Sequence, residues 1–131
     1  MRMLAQEDEN DDGAEVNWED QQRINSFSKL NARLKALEER ITGLKQEKEA
    51  LDDLSTELEL ADEDQLVMYR VGEAFLHIPH PRALKRLERD QAELDKDLAT
   101  LVASSEDIEK EMKELKVTLY SKFGRAINLD E

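Results

Sequence analysis

The sequence predicts a mainly α fold: a long antiparallel coiled-coil helical hairpin, with a β-hairpin between the two helices that joins an oligomeric β-barrel or shared sheet. Three observations lead there. Two stretches repeat leucine-type residues with the coiled-coil period. A short β-prone stretch centred on a glycine separates them. The composition leaves little else: of 131 residues 39% are charged and only 5% aromatic, with four glycines and two prolines. Ordinary globular domains carry roughly 25% charged residues, so neither a thick-cored α/β enzyme nor an all-β domain fits. The 39% apolar content is too regularly spaced for a wholly disordered chain.

The first helix is expected over residues 17–60. Asn17 is a good N-cap, and Glu19 and Asp20 then occupy the first turn, where the helix dipole favours acids. The a positions read Phe27, Leu34, Ile41, Lys48 and Ser55, and the d positions Leu30, Leu37, Leu44, Leu51 and Leu58. Eight of these ten are apolar with no slip in phase, the pattern of a left-handed coiled-coil seam.

A β-hairpin is expected over residues 65–78. Gln65 to Val71 and Ala74 to Ile78 are β-prone runs flanking Gly72-Glu73, with Gly72 free to take positive φ. Pro79-His80-Pro81 ends the second strand. The second helix is expected over 81–123, with proline at its start. Its a positions are Leu84, Gln91, Leu98, Ser105, Met112 and Leu119, and its d positions Leu87, Leu94, Leu101, Ile108 and Leu115. Gly124 is placed to cap it in the left-handed conformation. Setting Leu58 opposite Leu84 brings Phe27 near Leu115. The polar a positions weaken the seam locally and help fix its register. Residues 1–16, with six acids and one base, read as an acidic disordered tail, and 125–131 as a short C-terminal tail.

A lone two-stranded hairpin is marginal in water and leaves open edges. Here apolar residues occur on both faces, with Val67, Tyr69, Val71 and Phe75 expected on one set of positions and Leu66, Met68, Leu76 and Ile78 on the other. One helix pair cannot cover both, so the hairpin is expected to pair with other subunits in a barrel or shared sheet. Its oligomerisation residues are Leu66, Val67, Met68, Tyr69, Val71, Gly72, Phe75, Leu76 and Ile78. The competing reading folds the hairpin back on its own helices.

At the far end of the coil, apolar groups persist where polar, fraying turns are usual. Trp18, Ile24, Phe27, Leu115, Leu119, Tyr120, Phe123, Ile127 and Leu129 form the candidate binding tip. Ile24, Val117 and Tyr120 fall outside the a/d set and are expected to be exposed, and contiguous exposed apolar surface marks binding. The plainer alternative is that Trp18 and Phe123 plug the end of the coil.

Other chemistry finds little support. There is no cysteine, hence no disulfide, thiolate zinc site or cysteine nucleophile. His77 and His80 are two ligands short of a structural zinc site. Asp62-x-Asp64 resembles the start of a calcium loop, but Val67 stands where such a loop needs glycine. No phosphate loop or nucleophile elbow is present. An enzyme is not expected, nor any catalytic residue, cofactor or metal. The net charge of −13 disfavours nucleic acid. The longest apolar run, Leu66 to Tyr69, is far too short to span a bilayer. Arg82, Lys85, Arg86 and Arg89 form a basic cluster that could neutralise the acidic Glu57–Asp64 region across the helical hairpin.

Four segments carry a family resemblance. Val16-Asn17-Trp18-Glu19-Asp20-Gln21-Gln22-Arg23-Ile24-Asn25-Ser26-Phe27 resembles the opening of β-type prefoldin subunits. Leu60-Ala61-Asp62-Glu63-Asp64 is similar to the end of their first helix, and Val71-Gly72-Glu73-Ala74-Phe75 to their hairpin turn. Leu119 to Leu129, with Lys122-Phe123-Gly124, is similar to their C-terminal end. His77 to Arg82 departs from the pattern. The resemblance spans roughly residues 16 to 131. It implies a heterohexamer of two α-type and four β-type subunits, whose hairpins form a double β-barrel bearing coiled-coil arms. It further implies capture of unfolded or nascent chains, notably actin and tubulin, at the arm tips without nucleotide. Delivery to the cytosolic group II chaperonin follows from the same resemblance. The expected compartment is the cytoplasm, with the nucleus open as a second. The rival reading is a structural coiled-coil tether or scaffold subunit that binds no client.

Overall fold

The structure, a computed structural model, describes residues 2–3, 15–124 and 127–129. Its elements in order are β1 (Arg2–Met3), α1 (Trp18–Leu60), β2 (Leu66–Val71), β3 (Ala74–Pro79), α2 (His80–Phe123) and β4 (Ile127–Asn128). Two long helices thus enclose an antiparallel two-stranded hairpin, as the heptads and Gly72 predict. Two compact units result: Met1–Glu39 with Val102–Glu131, and Arg40–Leu101.

The local causes are legible. Asn17 caps α1 reciprocally with Asp20: the Asp20 N–H donates to Asn17 Oδ1 at 2.8 Å, and the Asn17 N–H donates to Asp20 Oδ2 at 3.2 Å. This is a capping box with a shorter acid at its third position. After α1, the Asp64 N–H donates to Asp62 Oδ1 at 3.0 Å, and the Gln65 N–H to the Asp62 carbonyl at 3.1 Å. The Asp62-x-Asp64 pair therefore builds an Asx-type turn into β2.

Gly72 has φ +62° and Gly124 φ +56°. Glu73 keeps negative φ, so Gly72-Glu73 is a two-residue turn of the II′ kind, which needs glycine first. That turn pairs Val71 with Ala74, Tyr69 with Leu76 and Val67 with Ile78. Phe75 sits opposite Arg70. Directly opposed residues share a face, so the predicted sorting is corrected: Leu76 and Ile78 lie on the face of Tyr69, and Phe75 on that of Leu66 and Met68. A one-residue shift in register moves every side chain across the sheet.

In the hairpin unit, Leu58, Tyr69, Ala83 and Leu87 are buried together, with Leu51, Leu54, Val67, Val71, Ile78 and Leu84 packed around them. One hairpin face therefore does rest on its own helices, as the competing reading held, while Leu66, Met68 and Phe75 remain exposed. The helices run antiparallel here. Lys48 Nζ meets Asp95 at 3.0 Å, and Gln91 Nε2 donates to Asp52 at 3.3 Å. A step forward along α1 is matched by an equal step back along α2. The polar a positions Lys48 and Gln91 are the ones used as cross-links. Asp95's hydrogen bond and charge raise the pKa of Lys48 above its ordinary value.

β3 runs directly into α2, which starts one residue earlier than predicted. His80 is buried, and its Nε2–H donates to the Leu58 carbonyl at 2.8 Å. One of the last carbonyls of α1, which otherwise accepts only from the Ala61 N–H at 3.4 Å, is thereby satisfied.

Arg2–Met3 pairs antiparallel with Ile127–Asn128, although no structure was expected in either tail. Most of the remaining N-terminal tail lies outside the described residues.

Candidate functional site

The terminal unit gathers the predicted tip residues, and it buries most of them. Ile24, Phe27, Leu119, Phe123, Ile127 and Leu129 join Leu34, Ile108 and Met112 in one core, with Val16, Leu30, Leu37 and Leu115 against it. The expectation that Ile24 is exposed is corrected: it is 6% exposed. It sits one residue beyond a d position, so the apolar stripe widens from the narrow coiled-coil seam to the broader one of a globular helix. Phe123, 1% exposed, plugs this end as the plainer alternative held, but Trp18 does not. Trp18 is 74% exposed, Val117 63% and Tyr120 37%. Val117 and Tyr120 are three residues apart on α2 and therefore share a face.

Asp20 explains how the end is held. Its side chain is 3% exposed, yet it accepts from Arg23 Nη1 at 3.1 Å and from Lys122 Nζ. Burial alone pushes its pKa up. The hydrogen bonds from Lys122 and Asn17 and the charges of Lys122 and Arg23 outweigh that, and the carboxyl titrates below its ordinary value. Extending the heptads one step makes Asp20 an a residue and Lys122 a d residue, a signal present in the sequence but not used there. The Leu129 N–H also donates to the Tyr120 hydroxyl at 3.4 Å, tying the last described residue to α2.

The hairpin unit holds the second candidate surface. Of its predicted oligomerisation residues, Tyr69 is 2% exposed and faces the helices. Its hydroxyl donates to Asp90 Oδ2 at 2.8 Å, and Arg86 Nε approaches the same carboxylate at 3.3 Å. Burial, this hydrogen bond and the Asp90 charge all raise the pKa of Tyr69. Leu66 (62%), Met68 (56%), Phe75 (61%) and Leu76 (49%) are the exposed members. Val67, Val71 and Ile78 are half-buried, and Gly72 is at the turn. The suggested neutralisation of Glu57–Asp64 by the basic cluster does not occur: Arg86 pairs with Asp90, Arg89 with Glu93, and Arg82 and Lys85 form no ion pair among the described residues.

No group of three or more metal-ligating side chains is found among the described residues, and no described helix is long and apolar enough to cross a membrane. The two histidines do not converge. His77 is exposed and opposite Met68, whereas His80 is committed to the Leu58 carbonyl.

Two long helices around a single two-stranded hairpin are the architecture of a β-type prefoldin subunit. The prefoldin beta subunit from Thermococcus strain KS-1 superposes with a TM-score of 0.73, over 85% of this chain and 97% of that one, at 16% identity. The family profile described as Prefoldin subunit matches residues 21–126. Prefoldin subunit 4 of Saccharomyces cerevisiae is 42% identical over 99% of both chains. Prefoldin subunit 4 of Homo sapiens is 34% identical over 99% of this chain and 94% of its own. The chain belongs to the prefoldin subunit family. It is a non-enzymatic subunit of a chaperone complex, and within the family its likeness is to subunit 4.

Proposed function

We propose that this subunit assembles through its β-hairpin with α-type and β-type prefoldin subunits and holds unfolded or nascent polypeptides at the terminal unit, without nucleotide. Actin and tubulin are the clients, and the cytosolic group II chaperonin receives them, which makes the cytoplasm the working compartment. The observation that carries the client-binding reading is the exposure of Trp18, Val117 and Tyr120 around a core that is otherwise closed. Large apolar side chains left in water on one unit of a strongly acidic protein suit transient contact with unfolded chain. Ile24, Phe27, Leu115, Leu119, Phe123, Ile127 and Leu129 support that surface from below. Each such patch binds weakly. Several on one assembly gain affinity through effective concentration, with no new contact. The charge of −13 keeps the assembly soluble despite them.

The test is light scattering of actin diluted from denaturant into the assembled complex without ATP. The wild-type complex suppresses aggregation, and the triple variant Trp18→Ser, Val117→Ser, Tyr120→Ser suppresses it less while assembling normally. Unchanged scattering with the wild-type complex would leave only a structural tether.

A further inference from the structure

On the reading that the hairpin is the element of assembly, we propose that the open edge of β3 and the basic row Arg82, Lys85 and Arg89 together form a docking surface for a carboxylate-bearing strand of a different subunit.

Arg82, Lys85 and Arg89 recur at intervals of three and four residues, so they share one stripe of α2. They line a groove with Val71, Leu76 and Ile78, all on the hairpin face turned toward the helices. Arg82 and Lys85 have no ion pair among the described residues, and the Arg89–Glu93 pair is exposed at 3.5 Å. A cationic stripe with Arg82 and Lys85 outside any ion pair among the described residues runs against the trend of a chain with net charge −13. Beside it, β3 pairs only with β2, so its other edge offers a row of free N–H and C=O groups. Phe75 and Leu76, both on that strand, are exposed.

A strand added to this edge has a two-residue side-chain period. Alternate side chains would fall over the basic row, and the others would extend the exposed apolar face of Leu66, Met68 and Phe75. Main-chain hydrogen bonds would supply adhesion and the alternate side chains selection. The chemistry therefore calls for acids at alternate positions and apolar residues between them. This chain's own strands, Leu66–Val71 and Ala74–Pro79, contain no carboxylate. A second copy of its own hairpin is consequently the wrong occupant, and the row acts as a selector for a different subunit.

The experiment reconstitutes the full chain with its partner subunits and follows incorporation by native mass spectrometry and size exclusion. Arg82→Glu with Lys85→Glu should weaken incorporation about tenfold or more, because like charges then face each other across the contact. The wild-type should lose affinity as salt is raised, and the double variant should not. Arg82→Gln with Lys85→Gln should show a smaller loss with the same blunted salt response, and serves if the reversal perturbs folding. Arg33→Glu with Lys35→Glu, on exposed α1 positions, should incorporate normally. If the reversal variant assembles as wild type while Phe75→Asp fails, the selector is overturned and the hairpin reading survives. If Phe75→Asp also assembles normally, the hairpin reading falls and takes the selector with it. Salt-sensitive homo-oligomers of this chain alone, abolished by the same reversal, would overturn the claim of a different subunit.

Discussion

Lys122 and Asp20 lie 102 residues apart in sequence and form an ion pair between the last turn of α2 and the first turn of α1. The same carboxylate accepts from the Asn17 backbone and from Arg23. One side chain thus caps a helix and clamps a helix pair. Asp20→Ala should cost about 1–2 kcal/mol, combining the lost reciprocal half of the cap with lost charge-assisted hydrogen bonds from Arg23 and Lys122, whose partly exposed donors water can reach. The loss should appear as faster hydrogen exchange at the Ile24 to Phe27 amides, with the hairpin unit unaffected. Equal exchange in both proteins would mean the clamp is ornamental.

The pH dependence of that clamp follows from its sign. The folded pKa of Asp20 lies below its ordinary value of 3.8. Its stabilisation is therefore complete above that value and disappears as pH falls through the folded pKa. Between neutral pH and pH 5, the exchange protection of the terminal unit should owe no change to Asp20. Below the ordinary carboxylate range, wild type and Asp20→Asn should converge.

Tyr69→Phe should cost about 1 kcal/mol by removing the hydroxyl donated to Asp90, and Tyr69→Ala about 3–5 kcal/mol through the cavity it leaves. Urea unfolding reports both. Because the folded pKa of Tyr69 lies above the ordinary 10.0, its contribution is full below pH 10 and is lost as pH rises beyond that. A tyrosinate absorbance difference between wild type and Tyr69→Phe already present at pH 9 would contradict this.

His80→Ala should destabilise the hairpin unit by about 1 kcal/mol, since it leaves the Leu58 carbonyl at the end of α1 with only the long 3.4 Å hydrogen bond from the Ala61 N–H. His80→Gln should recover part of the loss if its amide reaches Leu58. Thermal melts of the two variants separate the hydrogen bond from simple packing.

Gly72→Val should disturb the hairpin turn. No neighbouring atom obstructs a side chain there, so the whole cost is the left-handed backbone, about 1–2 kcal/mol. Size exclusion of the reconstituted complex should show reduced incorporation, with Gly72→Asn milder because asparagine tolerates that region.

The features legible in the sequence are the local and periodic ones. The heptads marked both helices, Asn17 marked the start of α1, and Gly72 and Gly124 marked the two left-handed positions. These depend on neighbours within a few residues, which a single sequence displays directly. The long-range pairings were not legible. Nothing local tells Tyr69 that its hydroxyl will meet Asp90, or His80 that it will satisfy Leu58. Alternation along each strand sorts the faces of the hairpin only in part, because it does not say which residues oppose each other. The turn decides that, by placing Val71 against Ala74. At the tip, the sequence displays the apolar residues but not which of them are covered. Ile24 and Phe123 lie just off the seam, and only the packing of the terminal unit shows that they are covered while Trp18 is not.

Leu66, Met68 and Phe75 stay uncovered on the hairpin even when the other face is packed. A copy synthesised in excess of its companions would therefore carry the chemical signature of a damaged protein and attract the cell's own disposal systems. Its lifetime, followed after synthesis is stopped, should lengthen when the companion subunits are co-expressed. Stoichiometry would then be enforced by turnover of the surplus, with no dedicated regulator.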